Sequence, residues 1–138
     1  MKKFVTLLLM AAAVMFAGSA IALAAKDQIK TKNVQSKITL KYTDGDDPYG
    51  EDDNFHGKVS AKRDCDDNRK VKVYNKQTGA RVGKAKTDES GRYTINASVP
   101  PGTYFAEVQE RSYTVTKKNG KQVKYVCKAA TSDKVVVE

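Results

Sequence analysis

Beyond residue 25 no stretch of the chain repeats its apolar residues at the helical period. Short runs alternate apolar and polar residues one by one. Such a pattern suits strands with one buried face, not a helical core. The runs are Lys37–Tyr42, Phe55–Ala61, Lys70–Tyr74, a weaker Arg81–Thr87, Arg92–Ala97, Thr103–Val108, Ser112–Lys117, Gln122–Lys128 and Val135–Val137. In Lys70-Val71-Lys72-Val73-Tyr74 the valines are expected inward and the lysines outward. Tyr93, Ile95 and Ala97 form one inward set; Tyr104, Ala106 and Val108 form another. Thr78-Gly79, Ser90-Gly91 and Pro101-Gly102 supply the φ values that tight turns need. Asn119-Gly120 is the strongest hairpin signal. About seven or eight strands at this spacing predict an all-β antiparallel sandwich with Greek-key connections over residues 37–138. Residues 25–36 are polar and unpatterned, and read as a flexible N-terminal lead.

The front of the chain has a different character. Lys2 and Lys3 precede an apolar stretch from Phe4 to Phe16 broken only by Thr6, and small residues follow. Ala22-Leu23-Ala24 fits the small-x-small site of a signal peptidase, with cleavage between Ala24 and Ala25. The competing reading is a retained membrane anchor, since the apolar run approaches spanning length. The Ala- and Gly-rich end of the run, followed by Lys26-Asp27, favours a cleaved signal peptide over residues 1–24. The chain is therefore expected to be exported, with no transmembrane anchor after processing, and to act outside the cell as a monomer.

Export changes the reading of the cysteines. The chain has two, Cys65 and Cys127. An even count in an oxidising compartment predicts one disulfide over two buried free thiols. The bridge closes a loop of about 63 residues, which the chain-entropy model values at about 4 kcal/mol.

From Phe55 onward several motifs belong together. They are Phe55-x-Gly57-x-Val59-Ser60, Cys65, Arg69-x-Val71-x-Val73-Tyr74, Thr87-Asp88-x-x-Gly91-x-Tyr93, Pro101-Gly102-x-Tyr104-x-Ala106-x-Val108 and Cys127-x-Ala129-x-x-Ser132. This set resembles the carboxypeptidase regulatory-like domains, in particular the small single-domain versions secreted by bacteria. The resemblance implies a transthyretin-like (prealbumin-like) or immunoglobulin-like sandwich, with Gly91 and Gly102 serving turns and Tyr93 and Tyr104 filling the interior. It implies a structural, stabilising or interaction role and no catalytic residue. Related collagen-adhesin B-type domains form a Lys–Asn isopeptide bond assisted by a Glu four residues after a Tyr. Here Val108 holds that position and Glu107 lies three after Tyr104, which argues against such a bond.

Catalytic constellations are sparse. His56 is the one histidine. A triad would need it against a nucleophile, yet Ser60, four residues along the same strand, stands about 13 Å away at strand rise. Zinc would need more His and Cys than the chain has. No cofactor motif is present. The acidic segment Asp44–Asp53 packs six carboxylates into ten residues, which suits calcium by ligand type. Its glycine and glutamate fall at the wrong offsets for an EF-hand. Asp64, Asp66 and Asp67 would add ligands only if the two segments met.

The charges are segregated. From Ala25 to Asp67 acids outnumber bases ten to eight; from Asn68 to Glu138 bases outnumber acids fifteen to six. The predicted hairpin is densest, with Arg111, Lys117, Lys118, Lys121, Lys124 and Lys128 around Tyr113 and Tyr125. These cations form a candidate patch for cell-envelope polyanions or glycans. The competing reading is a solubilising surface that guards strand edges. Nucleic acid is not an expected partner of an exported chain. The function expected is a secreted, non-enzymatic domain with a structural or binding role at or outside the cell envelope. Two rivals are a calcium- or carbohydrate/polyanion-binding module and a small secreted hydrolase or protease inhibitor.

Overall fold

A computed structural model describes residues 28–45 and 52–138. The proposed signal peptide, with Ala24 and Ala25, and positions 46–51 of the acidic segment lie outside the described residues. The described chain is all-β. Its twelve strands are β1 (Lys30–Val34), β2 (Ser36–Ile38), β3 (Lys41–Thr43), β4 (Asn54–Ala61), β5 (Lys70–Asn75), β6 (Arg81–Lys86), β7 (Arg92–Asn96), β8 (Gly102–Val108), β9 (Arg111–Thr116), β10 (Gln122–Cys127), β11 (Ala130–Thr131) and β12 (Val135–Val137).

Two sheets make the sandwich. In one, β4 is central, with β2 and β3 along one edge and β7 along the other. In the other the order is β11-β8-β5-β6, and β12 extends the β11 edge of β8. The pairs β4–β7 and β5–β8 interlock, because the chain crosses between the sheets after β4, β6 and β7. The alternation read from the sequence places the core. Phe55, Val59, Tyr93 and Ile95 from one sheet meet Val71, Val73, Tyr104, Ala106, Val108 and Val137 from the other. The Phe55 and Tyr104 rings meet across the sheets at 5.2 Å between centroids, inclined by 50°, a tilted arrangement that aromatic quadrupoles favour.

The expected single strand Lys37–Tyr42 is split, although its register against β4 is continuous. The break is at Thr39. Its carbonyl turns inward and accepts a hydrogen bond from the Tyr93 hydroxyl at 2.5 Å. The Lys58 N–H is satisfied by Thr39 Oγ1 at 3.0 Å instead. The turned carbonyl lies over Gly57, where a Cβ would sit 2.0 Å from it. Only glycine permits that approach.

A third, small sheet has the order β1-β10-β9. It corrects two expectations. Residues 30–34 are not a flexible lead but strand β1, and β1 pairs with β10 in parallel, the one exception to an antiparallel fold among the described strands. The strand is hidden in the sequence because only Val34 of its five residues is buried. Backbone pairing to β10, not a hydrophobic face, holds it. The strand count also exceeds the expected seven or eight, since Lys37–Tyr42 is split into β2 and β3 and the edge strands β1 and β11 are added.

The small sheet has its own core of Val34, Cys65, Val123, Tyr125 and Cys127. The predicted Cys65–Cys127 disulfide is present, with Cα atoms 5.3 Å apart. Arg69 lies between the two cores and is fully buried. Its guanidinium donates to the Gln109 carbonyl at 2.8 Å, the Lys128 carbonyl at 3.0 Å, the Ser36 hydroxyl at 3.0 Å and the Cys65 carbonyl. Among the described residues no carboxylate pairs with it. Burial, then the nearby Arg111 charge, pushes its guanidinium below the usual arginine value.

Candidate functional site

The hairpin cations do not share one surface. Lys117, Lys118 and Lys121 belong to the turn between β9 and β10, closed by Lys117 N–H donating to the Lys121 carbonyl at 2.8 Å. Lys124 points to the outer face of β10, in register with Thr114 and Thr31. The Lys128 ammonium pairs with Glu110 at 2.8 Å. Arg111 faces the other way. It lies over the Tyr113 ring at 5.6 Å and donates to the Asp64 carbonyl at 3.0 Å. It helps pin the loop in which Arg63, Asp64 and Asn68 adopt positive φ, with Tyr113 donating to the Arg63 carbonyl. Two of the six cations are thus engaged within the fold.

A second basic cluster is more concentrated. On the outer face of the five-stranded sheet, Lys70 of β5 lies directly opposite Lys86 of β6, and Lys72 opposite Lys84. Val71 and Val73 of the same strand face the core, so the period of two obliges Lys70, Lys72 and Tyr74 to face away from it. A bulge after Val73 brings Arg81 opposite Tyr74. These five cations border a shallow groove of about 410 Å³ with no carboxylate among its lining residues. None of them makes an ion pair within the described residues.

The next strands continue the face. Tyr74 stacks on Phe105 of β8, with centroids 5.6 Å apart and planes inclined by 23°. Glu107 of β8 is in register with Lys72. Beyond β8, Val136 of β12 is in register with Thr103 and is 68% exposed. Lys76 follows β5, and its N–H donates to the Thr103 carbonyl at 2.8 Å. The neighbouring Lys134 amine, by hydrogen bonding and then by its charge, holds the Lys76 ammonium below the usual lysine value.

Other candidates gather less. His56 Nδ1 meets Asn54 Oδ1 at 3.0 Å and Thr43 Oγ1 at 3.5 Å, on the polar outer face of β3, β4 and β7, which forms a shallow groove of about 730 Å³. In the acidic segment, Asp53 accepts from the Gly45 N–H at 2.7 Å. That bond, then the Ser98 hydroxyl, holds its carboxyl below the usual carboxylate range. Among the described residues no group of three or more His, Cys, Asp or Glu side chains could hold a metal ion. Among them too, no helix is long and apolar enough to cross a membrane.

The lysine ladder was available in the sequence. Lys70-x-Lys72 and Lys84-x-Lys86 sit on either side of the Thr78-Gly79 turn, and folding a hairpin there sets them face to face. Residues brought in from β8 and β12 had no such local sign. No family model matches the chain, and no curated protein or solved structure matches it.

Proposed function

We propose that this chain is an exported, non-enzymatic β-sandwich domain that binds polyanions at or outside the cell envelope. The observation that carries this reading is the register of Lys70 with Lys86 and of Lys72 with Lys84. Like charges directly opposite on neighbouring strands destabilise a sheet. Edge protection accounts for lysines on β6, which is an edge strand. It does not account for lysines on β5, which is paired on both sides. A polyanion laid on this face relieves the repulsion and gains from every unpaired ammonium. The motif spacing from Phe55 to Ser132 supports placing the domain with the carboxypeptidase regulatory-like group, whose members work as structural and interaction modules.

The test uses heparin as a model polyanion and the processed chain recovered after export. Binding at low salt that is lost at high salt supports the reading, because exposed charges are screened. Absence of binding at low salt rejects it. The intact mass of the same sample tests export: a chain starting at Ala25 supports it, and one retaining Met1–Ala24 contradicts it.

A further inference from the structure

We propose that the outer face of the five-stranded sheet docks flat on an anionic phospholipid surface. This rests on the polyanion reading above and names the partner of the same site. The distribution of the side chains argues for a plane over a line. Cations on β5 and β6 alone would suit a linear polymer running along the ribbon. Lys76 follows β5 and is held to Thr103 of β8, and Lys134 immediately precedes β12 at the far edge of β8, so both lie across the Tyr74–Phe105 stack from Lys72 and Lys84. The face spans β6, β5, β8 and β12, roughly 15 Å at the usual strand spacing, and runs roughly 20 Å from Lys70 to Lys76. Positive charge therefore brackets an area and not a track.

The middle of that area and its β12 edge are apolar. Tyr74 and Phe105 are half-buried against each other, and Val136 at the β12 edge is the most exposed of the large hydrophobic side chains among the described residues. Tyr74 presents an apolar body and a polar tip, the kind of ring that settles at the headgroup level of a bilayer, and Phe105 backs it with apolar surface. Lysines around them reach anionic headgroups and add attraction that salt screens. Glu107 is the one carboxylate of the strands in this patch and lies beside Lys72, so the charge of the face stays strongly positive.

The experiment is co-sedimentation of the processed chain with vesicles of phosphatidylglycerol and phosphatidylcholine, against vesicles of phosphatidylcholine alone. Binding to the first and not the second is expected. Reversing Lys72 and Lys84 together (K72E/K84E) is expected to lower the partition at least about tenfold. Val136→Asp is expected to lower it about fivefold through the apolar contact. Reversing Lys117, Lys118 and Lys121 is expected to leave it within about twofold, since that turn lies on another sheet. The chain contains no tryptophan, so Val136→Trp gives a second readout: a blue shift on adding anionic vesicles. Heparin binding without vesicle binding overturns the lipid surface in favour of a linear acidic polymer. An unshifted Val136→Trp spectrum on bound vesicles, or loss of binding only in the hairpin variant, overturns the proposed face. Failure to bind either heparin or vesicles rejects the polyanion reading itself.

Discussion

The Tyr93 hydroxyl donates to the Thr39 carbonyl at 2.5 Å, from the β7 side of β4 to the opposite edge. The bond passes over Gly57, the one residue of β4 without a side chain to obstruct it. It satisfies a carbonyl that has left the sheet ladder, so its loss strands a polar group in the interior. Tyr93→Phe is expected to lower the free energy of unfolding by about 1.5 kcal/mol in urea melts. An unchanged midpoint would contradict this role.

The same tyrosine gives the fold an alkaline limit. Burial pushes the Tyr93 hydroxyl well above its ordinary value. Above about pH 10 the unfolded chain releases this proton while the folded chain keeps it. Stability is therefore full below that pH and falls as pH rises toward the folded value. Thermal melts across this range are expected to show the fall, with a shallower slope in Tyr93→Phe.

Arg69 joins the disulfide to the sandwich. It donates to the carbonyls of Cys65, Gln109 and Lys128, so its removal leaves several buried acceptors without donors. Arg69→Met is expected to cost about 3 kcal/mol. Removing both cysteines is expected to cost about 4 kcal/mol by the chain-entropy model. Because Arg69 touches the Cys65 backbone, the combined variant is expected to lose less than the sum of the two. Strict additivity in denaturant melts would show that the two act independently.

The sequence shows the sandwich wherever alternation is strong. Val71 and Val73, Tyr93 and Ile95, and Tyr104, Ala106 and Val108 are buried as their spacing requires. Gly91 has the positive φ expected of its turn. Strand β1 escaped because a residue pattern records burial, and β1 buries almost nothing. The basic site was half-legible for a related reason. Charge density along the chain points to Arg111–Lys128, but the fold splits those residues between two faces and a turn. The ladder on β5 and β6 depends on pairing between segments, and Lys134 and Val136 join it only through β12 pairing with β8.

Lys76 reports on the site without chemistry. Its neighbour Lys134 holds its ammonium below the usual lysine value. An anion placed between the two amines removes the cause of that shift. An NMR titration of the Lys76 side chain is expected to show its pKa rising when micelles carrying phosphatidylglycerol headgroups are added. No change on saturation would mean that Lys76 and Lys134 stand outside the lipid-binding face.

The most direct measurement is a single charge reversal read in two ways. Lys84→Glu puts a carboxylate opposite Lys72, replacing a repulsive cross-strand pair with an attractive one. If the ladder is kept cationic for binding, the variant becomes more stable to urea by about 0.5 to 1 kcal/mol, and its heparin affinity falls about tenfold. A variant that binds heparin as well as the parent would contradict the assignment of the β5–β6 face as the polyanion site.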